Sequence, residues 1–184
     1  MIDDTLTERL KAIKLVAMDV DGTYTGGHLF YDSQGSVSKG FHCHDGFAME
    51  ILRLGGILRG FITGRMDNAT RERATYLKVD FILDNTADKE VALQSLQKKY
   101  GLGPHECLYI GDDINDIPAF EAAGIRVAVA NAVNEVKARA DFVTTRAGGD
   151  GAVREVADMI VAAKGIDPVA LWLSHKTMPG TQHP

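Results

Sequence analysis

Six short apolar runs recur along the chain with helix-period segments between them, and this alternation restricts the fold more than any other feature. The runs are Leu15 to Val20, Ile57 to Ile62, Phe81 to Leu83, Cys107 to Ile110, Ile125 to Val129 and Phe142 to Val143. Between and after them, Phe47, Ile51 and Leu54 make one helical stripe, Leu93, Leu96 and Tyr100 a second, and Val153, Val156, Ile160 and Ala163 a third. Continuous apolar runs mark strands covered on both sides, so the pattern predicts an α/β chain of βαβ units around a parallel sheet.

Asp45 and Asn68 are the expected N-caps, and Gly55, Gly101 and Gly124 stand where helices should stop. The segment Tyr24 to His44 breaks the pattern: Gly26, Gly27 and Gly35 sit among alternating residues, which predicts a β-hairpin with arms His28 to Tyr31 and Ser36 to His42. The flap is therefore placed at about residues 26–42. From Gly165 onward the chain turns polar and proline-bearing apart from Leu171, Trp172 and Leu173, so residues 166–184 are expected to be a tail. With 184 residues, 45% of them hydrophobic, residues 1–165 suit one well-buried domain.

A formal net charge of −5 leaves no broad cationic surface for a nucleic-acid backbone or an anionic membrane, and neither partner is expected. No apolar run reaches membrane-spanning length. Cys43 and Cys107 suggest no disulfide framework, and Met1 to Lys14 lacks the basic flank and apolar core of a secretory signal. The expected setting is reduced and cytoplasmic.

In an open α/β sheet, ligands sit beyond the carboxyl ends of the strands. Four polar clusters fall there: Asp19, Asp21, Gly22 and Thr23; Thr63, Gly64 and Arg65; Lys89; and Gly111, Asp112, Asp113 and Asp116. Side chains two apart on a strand share a face, which sets the Asp19 and Asp21 carboxylates about 6 to 7 Å apart, room for a phosphoryl group. Asp19 can then attack phosphorus, while Asp21 protonates the leaving alkoxide and later activates water. So many carboxylates beside a phosphate call for a hard cation with oxygen ligands, and Mg²⁺ fits best. Asp19, Asp112 and a main-chain carbonyl near Asp21 are the expected ligands, with Asp113 and Asp116 behind them. Thr63 and Lys89 are assigned to the transferring phosphoryl oxygens, Gly64 to the same turn, and Arg65 to phosphate or a substrate carboxylate.

Each cluster alone is an ordinary turn; their ordered recurrence at successive strand ends is what points to one site. His42, Cys43, His44 and Asp45 resemble transition-metal ligands, but the group is local and lacks distant partners, so a role lining the substrate is preferred for His44, Asp45 and Gly46. The loop Gly148 to Gly151 lacks the lysine and hydroxyl of a nucleotide-binding loop.

Asp19 to Thr23, Thr63, Lys89 and Gly111 to Asp116 together resemble the haloacid dehalogenase superfamily of phosphohydrolases. Phe41 to Gly46, Ile62 to Arg65, Gly111 to Pro118 and above all Ala147 to Glu155 resemble, within it, the 3-deoxy-D-manno-octulosonate 8-phosphate phosphatases. The resemblance implies a Rossmann-like, doubly wound fold without a cap domain, Asp19 as nucleophile, Asp21 as acid and base, Mg²⁺ on Asp19 and Asp112, a small acidic sugar phosphate as substrate, a place in lipopolysaccharide biosynthesis, and a homotetramer in which a neighbour shields the site. Two positions depart from the family pattern: His44 stands where a basic residue, often arginine, precedes the Asp-Gly pair, and Ala48 replaces a glycine. Both bear on the sugar, so a nonulosonate 9-phosphate or another acidic sugar phosphate is the alternative substrate. A phosphomutase, a receiver-like signalling module and an inactive scaffold are competing readings, opposed respectively by the missing cap, by the hydrolytic Asp21 and by the intact acidic set.

Overall fold

The computed structural model describes residues 4–176. The chain order is α1 (Asp4–Ala12), β1 (Leu15–Met18), β2 (Phe30–Tyr31), β3 (Val37–Ser38), α2 (Cys43–Leu54), β4 (Leu58–Ile62), α3 (Asn68–Leu77), β5 (Phe81–Leu83), α4 (Lys89–Tyr100), β6 (Cys107–Gly111), α5 (Ile117–Ala122), β7 (Ile125–Ala128), α6 (Asn134–Lys137), β8 (Phe142–Val143), α7 (Ala152–Ala163) and α8 (Pro168–Lys176). Six strands form one sheet in the order β5-β4-β1-β6-β7-β8, every neighbouring pair parallel. β2 and β3 make a separate antiparallel pair. All six predicted runs are strands of the sheet, which is the doubly wound arrangement expected.

The layers follow from burial. All four residues of β1 and all five of β6 are buried, because helices cover both faces of the sheet at its centre. On one face α2 packs against α7 and α7 against α1; on the other α4 packs against α5. β4 carries an exception, Arg59, which is 1% exposed. Its guanidinium donates to the carbonyls of Met49 (2.9 Å) and Lys78 (3.0 Å) and pairs with Asp80, so the buried charge is offset by a full set of acceptors.

The chain leaves β1 for β4 and β5 on one side, then crosses back to β6 on the other, so the order reverses between β1 and β6. A crevice opens at such a reversal, beyond the carboxyl ends of the two strands. Asp19 follows β1 and Asp112 follows β6, so the topology alone brings these two acids together.

Several local expectations are corrected. Asp45 is not an N-cap of its own helix: α2 begins after His42, and Asp45 lies in its first turn. Asp67, not Asn68, caps α3, its Oδ1 accepting from Thr70 N at 2.8 Å. Gly55 and Gly101 do end helices, whereas α5 stops before Ala123, one residue short of Gly124. The hairpin forms with arms of only two residues each, closed by the Asp32 carboxylate accepting from Gln34 N and Ser36 N. The expected tail contains α8: Asp167 accepts from Val169 N at 2.8 Å, Pro168 opens the helix, and the Trp172 ring meets Phe47 of α2 edge-on, centroids 4.9 Å apart. Residues 177–184 of that tail, and 1–3 of the N-terminal segment, lie outside the described residues.

Candidate active site

β1 ends at Met18, and the next residues turn sharply: Tyr24 N and Thr25 N both donate to the Val20 carbonyl at 2.9 Å. Asp19 is held at the mouth of the turn by its own N–H, which donates to Ile110 O of β6. Its carboxylate is 9% exposed and receives Lys89 Nζ at 2.7 Å. Lys89 is the first residue of α4, positioned there by Asp88, whose side chain caps the helix through Glu90 N and Val91 N.

Lys89 also donates to Asp116 Oδ1 at 2.7 Å, and Tyr109 Oη donates to the same oxygen at 2.8 Å. Asp116 Oδ2 accepts from Asp112 N (2.8 Å) and Asp113 N (3.2 Å). With four protein donors on its two oxygens, Asp116 organises the β6 turn. Asp113 is exposed and caps the 3₁₀ turn Ile114–Asp116 through Ile114 N. Asp112 Oδ1 accepts from Thr23 Oγ1 at 2.8 Å, a hydroxyl from the loop that carries Asp19.

Oxygens of Asp19, Asp112 and Asp116 all lie within 4.8 Å of one another. Burial, and then the nearby Asp116 charge, push Asp19 up to about 6 in spite of Lys89. Burial and the neighbouring carboxylates push Asp112 up to about 7, against the pull of the Thr23 hydroxyl. On Lys89, burial is outweighed by the charges of Asp116 and Asp19, so its pKa is raised and it stays cationic. One ammonium among three carboxylates leaves negative charge uncompensated. Hard oxygen donors in that state fit a divalent cation such as Mg²⁺.

Asp21 comes to the same mouth, but its partner is one that sequence reasoning missed. Lys39, just beyond β3, buries its whole side chain and pairs with both Asp21 Oδ1 and Asp67 Oδ2, the latter at 2.7 Å. In the sequence it reads as a solvated hairpin lysine; the only available signal was its place at the end of an arm that folds back toward Asp21. Thr63 follows β4 directly and is 2% exposed, its hydroxyl turned into its own turn, donating to Arg65 O and accepting from Arg65 N. Gly64 is exposed in that turn. Arg65 does not point a free fork at the acids: its Nη1 donates to Tyr31 Oη at 2.6 Å and its guanidinium lies over the Tyr31 ring, tying the turn to the hairpin.

The His44, Asp45 and Gly46 expectation is revised. Asp45 is fully buried, and its carboxylate accepts from Gly151 N at 3.0 Å and Arg154 N at 2.9 Å, so it caps α7 across the interface with α2. Each of its two oxygens thus accepts from the start of α7. Gly46 is buried where a Cβ would stand 2.2 Å from Arg73 Nη2. His44 is exposed and lines an open groove of about 700 Å³ with Arg146, Arg154 and Asp158, a groove to which none of the acid cluster contributes.

The segment Ala147 to Glu155 turns out to be a clasp on the loop that follows Asp19. A Cβ on Gly148 would lie 2.0 Å from Gly22 O, and one on Gly149 2.2 Å from Gly26 N, so only bare backbone fits against residues 22–26. Asn131 locks the contact, donating to Gly22 O at 2.9 Å and accepting from Gly148 N. Glu155 then accepts from Thr145 N and Arg146 N and fixes the loop's entry.

Residues 56–156 match the family model described as haloacid dehalogenase-like hydrolase. The chain is 39% identical over 160 residues to the 3-deoxy-D-manno-octulosonate 8-phosphate phosphatase KdsC of Haemophilus influenzae, covering 87% of this chain and 89% of that protein. It is 35% identical over 153 residues to the KdsC of Escherichia coli K12, covering 83% and 81%. A crystal structure of the Moraxella catarrhalis phosphatase of the same name, in complex with magnesium ion, phosphate ion and KDO, superposes with a TM-score of 0.89 at 37% identity, covering 95% of this chain and 99% of that one. The cobalt-bound Haemophilus influenzae structure gives 0.85 at 38% identity, covering 90% and 99%. Fold, acid cluster and these likenesses agree: the chain belongs to the haloacid dehalogenase-like hydrolases, in the family of the 3-deoxy-D-manno-octulosonate 8-phosphate phosphatases.

Proposed function

We propose that the chain hydrolyses 3-deoxy-D-manno-octulosonate 8-phosphate, releasing inorganic phosphate, with Asp19 as the nucleophile. The observation that carries this reading is the buried ion-paired set of Asp19, Lys89 and Asp116 beside Asp112 at the reversal point of the sheet. The names of its relatives, and the magnesium, phosphate and KDO bound in the Moraxella catarrhalis structure, support the substrate class.

A carboxylate oxygen of Asp19 attacks phosphorus, and the bond from phosphorus to the sugar oxygen breaks. Asp21, as a carboxylic acid, gives its proton to the departing alkoxide. As a carboxylate it then takes a proton from water, whose oxygen attacks the aspartyl phosphate, regenerating Asp19 and freeing phosphate. Lys89 and Thr63 bind the transferring phosphoryl oxygens, the Thr63 hydroxyl exchanging its Arg65 contact for the ligand. Arg65 and Gly64 line the same opening. Asp19, Asp112 and a main-chain carbonyl near Asp21 would hold Mg²⁺, which would offset the charge of phosphate and carboxylates. Residues 1–165 are the catalytic unit, and a homotetramer built through the hairpin supplies the cover that a cap domain would otherwise give.

Phosphate release is to be measured for wild type and Asp19→Asn with Mg²⁺ over octulosonate, nonulosonate and simple sugar phosphates. Selective release from the octulosonate, lost in the variant, is the expected result. Selectivity for the nonulosonate transfers the assignment to that sugar, and release unchanged in the variant overturns the mechanism. Light scattering at working concentration tests the tetramer.

A further inference from the structure

Lys39 is the one element of the hairpin that reaches the acids. The hairpin is otherwise outward-facing, with Phe30 63% and Tyr31 59% exposed. Yet the side chain of Lys39 is wholly shielded and its ammonium serves two carboxylates, Asp21 and Asp67. Burying an ammonium is costly unless charged or polar partners surround it, so a lysine in this place is there for those two acids.

The two acids differ in freedom. Asp67 is anchored, because its other oxygen caps α3 through Thr70 N, and the lysine together with that cap holds its carboxyl below the usual range against the effect of burial. Asp21 has no such anchor among the described residues: its side chain is 24% exposed and Lys39 is the side chain it pairs with. Position is therefore fixed from α3 through Asp67 to Lys39, and Lys39 in turn sets where Asp21 stands. The Arg65 to Tyr31 contact pins the same hairpin to the same turn a second time.

Building on the phosphatase reading above, we propose that Lys39 is a positioning residue: anchored on Asp67, it holds the Asp21 carboxyl where it can deliver a proton to the leaving oxygen, without itself touching phosphate. Placement of the hairpin thereby becomes a condition for acid catalysis, and a displaced hairpin leaves a site that binds phosphate and Mg²⁺ but expels alkoxides slowly.

A proton donor matters for an alkoxide leaving group and hardly at all for a nitrophenolate, which departs unaided. The test compares kcat/KM of wild type, Lys39→Met and Lys39→Arg on the sugar-acid phosphate and on p-nitrophenyl phosphate, since kcat/KM covers only the steps up to loss of the leaving group. The expected result is a fall of about 10²-fold on the sugar phosphate for Lys39→Met, within the range of general acid catalysis, against a change of about threefold or less on the aryl ester. Lys39→Arg recovers most of the loss, and adding Asp21→Asn to Lys39→Met costs nothing further. Equal falls on both substrates, or a weakened inhibition by inorganic phosphate, mean that Lys39 binds phosphate or merely supports the fold, and overturn the proposal, as does no fall on either. Should Lys39→Met not fold, Asp67→Asn, which removes the anchor and keeps the lysine, must show the same split or the proposal fails. An active wild type without the split refutes this inference alone; a wild type that hydrolyses neither ester refutes the phosphatase reading with it.

Discussion

The ammonium of Lys89 stands 2.7 Å from Oδ1 of Asp19, although 70 residues separate the two in sequence, and it shares itself at the same distance with Asp116. The lysine is 1% exposed, so neither carboxylate has water in its place as a countercharge. Lys89→Met leaves two buried carboxylates facing each other, and removing one partner of a buried pair typically costs about 3–5 kcal/mol. Urea unfolding is expected to show a loss of that order, with phosphate release falling below detection. In Lys89→Met with Asp116→Asn, part of the stability returns and the activity does not, because the charge on the phosphoryl oxygens is still unmet.

The raised acids make stability depend on pH in a definite sense. Asp19 and Asp112 titrate at about 6 and about 7 when folded, against 3.8 ordinarily. Between those values the folded chain holds more protons than the unfolded one, so metal-free stability falls as pH rises from about 4 to 7 and stays low above it. Mg²⁺ competes with the same protons. Its effect on the melting temperature should be large at pH 8 and nearly absent at pH 5, where both carboxyls are protonated; equal shifts at the two pH values would sink the assignment of Asp19 and Asp112 as its ligands.

Gly22 has φ +103°, and a Cβ there would lie 2.0 Å from Asp112 Oδ2. Gly22→Ala combines backbone strain of about 1–3 kcal/mol with displacement of Asp112, the proposed metal ligand. Calorimetric titration with Mg²⁺ is expected to show at least tenfold weaker binding, a loss out of proportion to the drop in melting temperature.

Asp45 was expected on chemical grounds to meet the sugar, yet it caps α7. Asp45→Ala should therefore lower stability by about 1–2 kcal/mol, the usual worth of a strong cap, and leave KM nearly unchanged at a temperature where the variant is folded. A tenfold rise in KM without loss of stability would restore it to the substrate site.

Sequence made the sheet and its acids legible for one physical reason: apolar runs buried on both faces stand out, and in a parallel sheet their carboxyl ends face one crevice. Asp19, Asp112 and Lys89 were found that way. What stayed hidden were contacts whose meaning depends on distant partners. Lys39 carries a charge that reads as solvated until α3 is seen to bring Asp67 beside it. Asp45 reads as an N-cap and is one, but for a helix 106 residues onward from it to Gly151. α8 was missed because none of its residues is fully buried and the contacts that hold it, Trp172 on Phe47 and His175 beside Arg53, are made with α2, far away in sequence. The Asp167-Pro168 start was the signal available.

The clasp on the nucleophile loop also sets a timetable. Asp19 leaves the ribosome early, but the Asn131 amide that holds Gly22 lies 109 residues later, and the bare backbone of Gly148 and Gly149 follows it. A nascent chain paused before that point carries its nucleophile on an unsupported loop. Catalytic competence thus arrives late in translation, with the last loop before α7.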